Sequence, residues 1–112
     1  MYARMTFFDG PRSPELIAAG DRGSRERIEP ALAARPDILN DVVATYELRQ
    51  PNGGMVMVVI ANHLESLDNA VEVIRSTPLL PDEDPALLPG PDRVETYDVS
   101  RTNFDMAQPV AG

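Results

Sequence analysis

Hydrophobic positions along the chain follow two spacings, one near two residues and one near three and a half, and they alternate in blocks. Tyr2 to Phe8 mixes aromatic and β-branched residues with apolar ones and stops at Asp9-Gly10-Pro11, which predicts a strand ending in a turn. Ala3, Met5 and Phe7 fall on one side of it and Tyr2, Arg4, Thr6 and Phe8 on the other, so one face is wholly apolar and its opposite amphipathic. Ser13-Pro14-Glu15 then reads as a helix start: a hydroxyl cap, a proline whose missing N–H is harmless in the first turn, and an acid at the positive end of the dipole. Helical spacing runs through Leu16, Ile17 and Ala19, weakens at Gly23, and resumes at Ile28, Ala31 and Leu32. Pro30 lies inside this stretch and removes the bond to the Glu26 carbonyl. The expectation is a long first helix, kinked or split between Gly20 and Pro30 and closed by Arg35-Pro36-Asp37.

Val42 to Arg49 alternates branched or aromatic with polar residues, Pro51-Asn52-Gly53-Gly54 follows, and Met55 to Ala61 is apolar almost throughout; this predicts a hairpin. A strand as apolar as MVMVVIA is covered on both faces and belongs in the middle of its sheet. Ser66 is the expected cap of a second helix carrying Leu67, Ala70, Val71 and Ile74 and ending at Thr77-Pro78. Five prolines between Pro78 and Pro91, with the acidic trio Asp82, Glu83 and Asp84, predict an extended, ordered loop with one short turn at Pro85 to Leu88. Arg93 to Val99 is the last strand by alternation. Beyond Ser100 there is no periodicity, and the tail is expected to fray or to lie over a neighbouring subunit.

Strand, helix, strand, strand, helix, strand is the ferredoxin-like order. The fold class is therefore α+β: a four-stranded antiparallel sheet with its first and third strands central and both helices on one face. Residues 1–100 form one domain in this reading and 101–112 a C-terminal tail. The second sheet face carries Val, Met, Tyr or Phe side chains from several strands, and covering it with a second copy predicts a homodimer closed into an α/β barrel.

Composition removes many chemistries. The 112 residues include no Cys, no Trp, one His and ten basic residues, all arginine. Without lysine there is no Schiff base and no P-loop, and without cysteine no disulfide, thiol nucleophile or Cys-containing zinc site. A net charge of −8 argues against nucleic acid as a partner, because that affinity comes largely from basic side chains neutralising phosphates. No apolar run approaches the length that spans a bilayer and no cleavable leader is apparent at the N-terminus, so no membrane partner and a cytoplasmic location are expected. Arg22, Arg25 and Arg27, interleaved with Asp21, Glu26 and Glu29, read as a solvated helix face of mixed ion pairs.

MYARMTFFDG, RERIEPALAARP, VATYELRQPNGGMVMVVIA and ESLDNAVEVI together resemble the dimeric α/β-barrel superfamily, and within it the small antibiotic-biosynthesis-monooxygenase-like proteins. The resemblance spans about Tyr2 to Ser100. It implies the dimeric barrel and, among the chemistries of such proteins, cofactor-free oxidation or isomerisation of a small apolar or aromatic compound, with no cofactor and no metal. The haem-degrading branch resembles itself in an Asn, His and Trp set, and a chain without tryptophan departs from it.

Two residues lead the candidates for catalysis. His63, in ANHLES just past the third strand, can shuttle a proton near neutral pH, or it is an ordinary loop histidine. A relative-like His–acid pair would need Glu65 or Asp68 beside it. Arg4 places a charge in a central strand, where Glu47 or Glu95 could supply its partner; it serves either an ion pair, at the dimer interface or with the helix layer, or the orientation of an anionic or carbonyl-bearing ligand. Tyr46, Asn62 and Tyr97 are candidate ligand contacts, the tyrosines being otherwise core aromatics with satisfied hydroxyls. One reading gathers Arg4, Tyr46, Asn62 and His63 around an apolar pocket between sheet and helices. The other makes the chain a non-enzymatic ligand-holding or protein-interaction domain whose Pro78 to Pro91 loop presents the working surface.

Overall fold

The computed structural model of the chain describes residues 1–102. Strand β1 (Tyr2–Phe8) leads to α1 (Pro14–Gly23), whose first turn is capped by Ser13 Oγ accepting the Leu16 N–H at 3.2 Å. The helical path does not end there. It widens into a π turn over Ser24–Ile28, in which the Glu29 N–H reaches back to the Ser24 carbonyl, and continues as α2 (Glu29–Ala33). Pro30 accounts for this interruption: it has no N–H for the Glu26 carbonyl, so the expected break takes the form of a bulge within the helix. Arg35-Pro36 does not simply close the segment. Pro36 opens one further turn, α3 (Pro36–Leu39), which delivers Ile38 into the interior.

The hairpin pairs β2 (Val42–Arg49) with β3 (Met55–Ala61). Its tip is closed by Gln50 N–H to Gly54 carbonyl at 2.8 Å and by Asn52 Oδ1 accepting the Gly54 N–H at 2.9 Å. Gly53 sits at φ +88°, where a Cβ would stand 2.8 Å from the Arg12 carbonyl oxygen, so glycine is required there. Helix α4 (Leu64–Ser76) starts two residues ahead of the expected cap: His63 is its N-cap, and Ser66 lies inside the first turn. After a 3₁₀ turn at Pro85–Leu87, β4 (Arg93–Asp98) completes a sheet in the order β2-β3-β1-β4, antiparallel throughout. This is the α+β, ferredoxin-like arrangement. The segment from Asn103 onward, for which fraying or contact with a neighbouring subunit is expected, lies outside the described residues.

Register assigns the paired strand residues to faces, with an irregularity between Val42 and Ala44 in β2. Arg4 pairs across with Val59 and Thr96 and reaches α4 through Asp68, so the even positions of β1, with Met57, Val59 and Ala61, look toward the helices. Ala61, Leu67 and Ile38 are the buried hydrophobic residues among those described, and they lie where β3, α4 and α3 meet. The wholly apolar side of β1 points the other way. Ala3, Met5 and Phe7, aligned with Ile60, Val58 and Val56 and flanked by Ala44, Tyr46 and Leu48, form a face that no helix covers among the described residues; Tyr46 and Leu48 are half exposed.

The Pro-rich loop is fastened to the first helical segment. Arg22 Nη2 donates to Asp82 Oδ1 at 2.8 Å, and Arg27 Nε donates to Glu83 Oε1 at 2.7 Å in a pair whose side chains are only 9% and 3% exposed. The Leu80 N–H also donates to Glu83 and, followed by Arg27, holds its carboxyl below the ordinary range against the opposing effect of burial. The arginine cluster therefore does more than decorate a solvated face. Asp84 accepts from Ala86 N–H and caps the 3₁₀ turn, so all three acids of the trio are engaged within the chain.

Leu67→Ala removes a fully packed side chain and is expected to lower stability by about 3 kcal/mol, read from urea unfolding at fixed protein concentration; a loss below about 1 kcal/mol would contradict the packing described. Arg27→Met should leave Glu83 buried and unpaired and release the loop, raising amide exchange at Leu80 while exchange in β3 stays slow.

Candidate functional site

The end of β3 and the start of β2 are neighbours because Val42 pairs with Ala61, which brings Asp41, one residue earlier, against Asn62 and His63. Asn62 donates twice to the Asp41 carbonyl, from its backbone at 3.0 Å and from Nδ2 at 3.3 Å. The Asp41 carboxylate divides its oxygens: Oδ2 accepts the His63 backbone N–H at 2.9 Å, and Oδ1 lies 2.8 Å from His63 Nδ1. The Ser66 hydroxyl also favours the ionised form of this carboxylate. Helix α4 has no cap from its own N-cap side chain, and Asp41 supplies the negative charge at its N-terminus from a different element.

These bonds pull the Asp41 carboxyl down from 3.8 to about 2, with Ser66 the largest cause and His63 next. Exposure is uneven within the pair. The Asp41 side chain is 15% exposed and that of His63 is 77% exposed, so the carboxylate is tucked in and the imidazole stands out. With Nδ1 engaged, Nε2 is the ring nitrogen turned away from the carboxylate. The acid beside His63 is thus neither Glu65 nor Asp68, the sequence neighbours, but Asp41, 22 positions earlier. Counting back along the hairpin from its turn was the signal that could have found it.

Arg4 has a different neighbourhood. Its Nη2 donates to Asp68 Oδ1 at 2.9 Å and its Nε to Thr96 Oγ1 at 3.2 Å, leaving 15% of the side chain exposed. Glu47 and Glu95, the partners expected from the strands, are taken elsewhere, Glu47 by Arg49 and Glu95 by Tyr97. Glu95 cannot reach Arg4 in any case, since it sits opposite Met5 and shares the uncovered face. Tyr97 is on that face too, its hydroxyl donating to Glu95 Oε2 at 2.8 Å, a bond that raises its pKa; Tyr46 stands there opposite Val58. Arg4 and the two tyrosines therefore lie on opposite sides of the sheet. Asn62 and His63 come together at its end.

A cavity of about 330 Å³, lined in part by Phe7, Leu48, Met55, Val56 and Arg93, opens at the other end of the strands. It is separated from His63 by the length of β3, about 20 Å. Arg93 covers one wall, its guanidinium 3.8 Å from the centre of the Phe7 ring. Among the described residues no group of three or more His, Cys, Asp or Glu side chains is placed to hold a metal ion, and no helix is long and apolar enough to cross a membrane.

No family model and no curated protein matches the chain. A solved structure does: a dimeric ferredoxin-like protein from an uncultured marine organism, with a TM-score of 0.59 at 12% identity, covering 86% of this chain and 83% of that one. At that identity the likeness concerns the fold, and it is the fold described above.

The depressed Asp41 pKa has a direct consequence. Ionised Asp41 favours the folded state, so its contribution is complete above about pH 3.8 and is lost as pH falls through about 2. Carboxyl-detected NMR titration should place Asp41 near that lower value, and Ser66→Ala should raise it toward the ordinary one. An Asp41 midpoint near 3.8 in the unaltered protein would contradict the bonding described.

Proposed function

We propose that the chain acts as a homodimer, pairing its uncovered sheet face with that of a second copy to close an α/β barrel, and that this barrel binds a small apolar or aromatic molecule. The observation that carries the reading is the face itself: Met5, Phe7, Val56, Val58 and Ile60 stand side by side across the two central strands, and none of the helices among the described residues lies over them. An apolar surface of that kind is stabilised by removal from water, and an identical surface related by a two-fold axis is self-complementary in chemistry. The solved protein of similar fold is described as dimeric, which supports the same arrangement here.

On this reading His63 is the acid–base group of a cofactor-independent, monooxygenase-like or isomerase-like step. Arg4 is the companion charge on the helix side, and Tyr46 and Tyr97 are ligand contacts on the barrel side. A second reading, a ligand-holding domain without turnover, draws support from the position of the 330 Å³ cavity, which reaches neither His63 nor Arg4. The Pro78 to Pro91 loop is less suited to present a working surface, because Asp82 and Glu83 are already bonded to Arg22 and Arg27.

Val58→Asp puts a charge at the centre of the proposed interface, and light scattering should then report a monomer with unchanged far-UV circular dichroism, where the unaltered protein is a dimer at micromolar concentration. A stable monomer for the unaltered protein would remove the proposal. Once a substrate is found, His63→Ala should lower turnover by about 10²-fold or more; full activity in both His63→Ala and Arg4→Ala would leave the ligand-holding reading in place.

A further inference from the structure

From the bonds around Asp41 we infer that this carboxylate is a positioning residue for His63: it holds the neutral ring with its proton on Nδ1 and thereby makes the exposed Nε2 a base for an acidic O–H or C–H group on the bound molecule. The inference rests on the proposed role of His63 in acid–base chemistry and adds to it which atom reacts, which residue sets it, and what kind of proton donor it faces.

The carboxylate divides its two oxygens between the backbone and the ring of one residue. Oδ2 accepts the His63 backbone N–H at 2.9 Å, and Oδ1 stands 2.8 Å from Nδ1 of the same residue. An ionised carboxylate has no proton to donate, so the atom facing Oδ1 must bring one, and the neutral imidazole carries its single proton on Nδ1. The lone pair is then on Nε2. Two contacts from one carboxylate to the backbone and ring of one residue also fix the ring's direction, and the two bonds that Asn62 donates to the Asp41 carbonyl, one from its backbone and one from Nδ2, hold Asp41 itself in place.

The step this arrangement permits is a plain proton transfer. The Nε2 lone pair forms a new N–H bond, the donor's O–H or C–H bond breaks, and its electron pair stays on the donor as an oxyanion or carbanion. The imidazolium then carries a proton on each nitrogen beside an Asp41 that remains ionised, so the positive charge develops 2.8 Å from a fixed negative one. The proton returns to the product by the reverse path.

The single histidine makes the test unambiguous, since every imidazole nitrogen signal belongs to His63. In long-range ¹H–¹⁵N NMR spectra of the full chain, at a pH where the ring is neutral, the Nδ1–H form should predominate. Asp41→Asn is expected to invert this ratio, by about tenfold or more. The reason is geometric: the backbone N–H of His63 still requires an oxygen, which turns the new amide nitrogen toward Nδ1 as a donor and drives the ring proton to Nε2. Ser66→Ala, which loosens the carboxylate without replacing it, should keep the Nδ1–H form. As a second readout, acylation of the ring by diethyl pyrocarbonate, followed by ultraviolet absorbance, should slow several-fold in Asp41→Asn. An Nε2–H ring in the unaltered protein would overturn the inference even if no variant folds, and so would an Asp41→Asn protein with unchanged tautomer and acylation rate. None of these measurements involves a substrate or the oligomeric state, so a monomer, or a dimer without turnover, would defeat the proposed function and leave the tautomer assignment standing.

Discussion

One sheet has two faces to remove from water, and among the described residues helices cover only one of them. Strand β3 is apolar on both sides, and β1 is wholly apolar on the side turned away from α4. The antiparallel pairing of these two central strands locks their registers together, so Met5 cannot turn inward without turning Arg4 outward. The rest of the molecule is arranged around that constraint. The helices, the interior residues Ile38, Ala61 and Leu67, and the Arg4–Asp68 pair all belong to one side, and the proposed assembly belongs to the other.

Electrostatics replaces packing where the small hydrophobic interior cannot reach. The loop from Pro78 to Pro91 has prolines instead of a periodic apolar stripe, and it is held down by arginines of the first helical segment acting on Asp82 and Glu83. Arginine suits this use. Its guanidinium offers several donors in a rigid fork and loses less on leaving water than an ammonium would, which fits a chain without lysine. The Arg27–Glu83 pair is nearly sealed from solvent, and Gly23 leaves the room for it: a Cβ there would stand 3.0 Å from both Arg27 Nη2 and Glu83 Oε2. Asp41 does related work at the end of the sheet where β2 begins. It ties the hairpin strands to the N-terminus of α4 and, in doing so, takes hold of His63.

Much of this could be read from the chain in order. The stop at Asp9-Gly10-Pro11, the Ser13-Pro14-Glu15 start and the Asn52-Gly53 turn each act through the local backbone, so the strand and helix limits they imply are close to those observed. Ser66 was a poorer guide. A serine just ahead of an apolar stripe reads as a cap, but Asp41 accepts the His63 N–H at the helix start from elsewhere, and Ser66 lies inside the first turn. For Arg4 the expected ion pair with the helix layer is the one observed, through Asp68 of α4, whereas the strand acids Glu47 and Glu95 are engaged elsewhere. Of the candidate site residues, Asn62 and His63 are adjacent in the chain and remain together, while Arg4 and Tyr46 are separated by the thickness of the sheet.

Sequence by itself determined the alternation of elements, the central place of the most apolar strand and the exclusion of lysine, cysteine and tryptophan chemistry, because periodicity and composition act within a few residues or on the chain as a whole. Tertiary structure alone decided which face of β1 the helices cover, that Asp82 and Glu83 bond to arginines of the first helical segment, and that Asp41 meets His63. Those outcomes depend on the register between segments distant in the chain, where a shift of one residue would exchange every side chain for its neighbour on the opposite face.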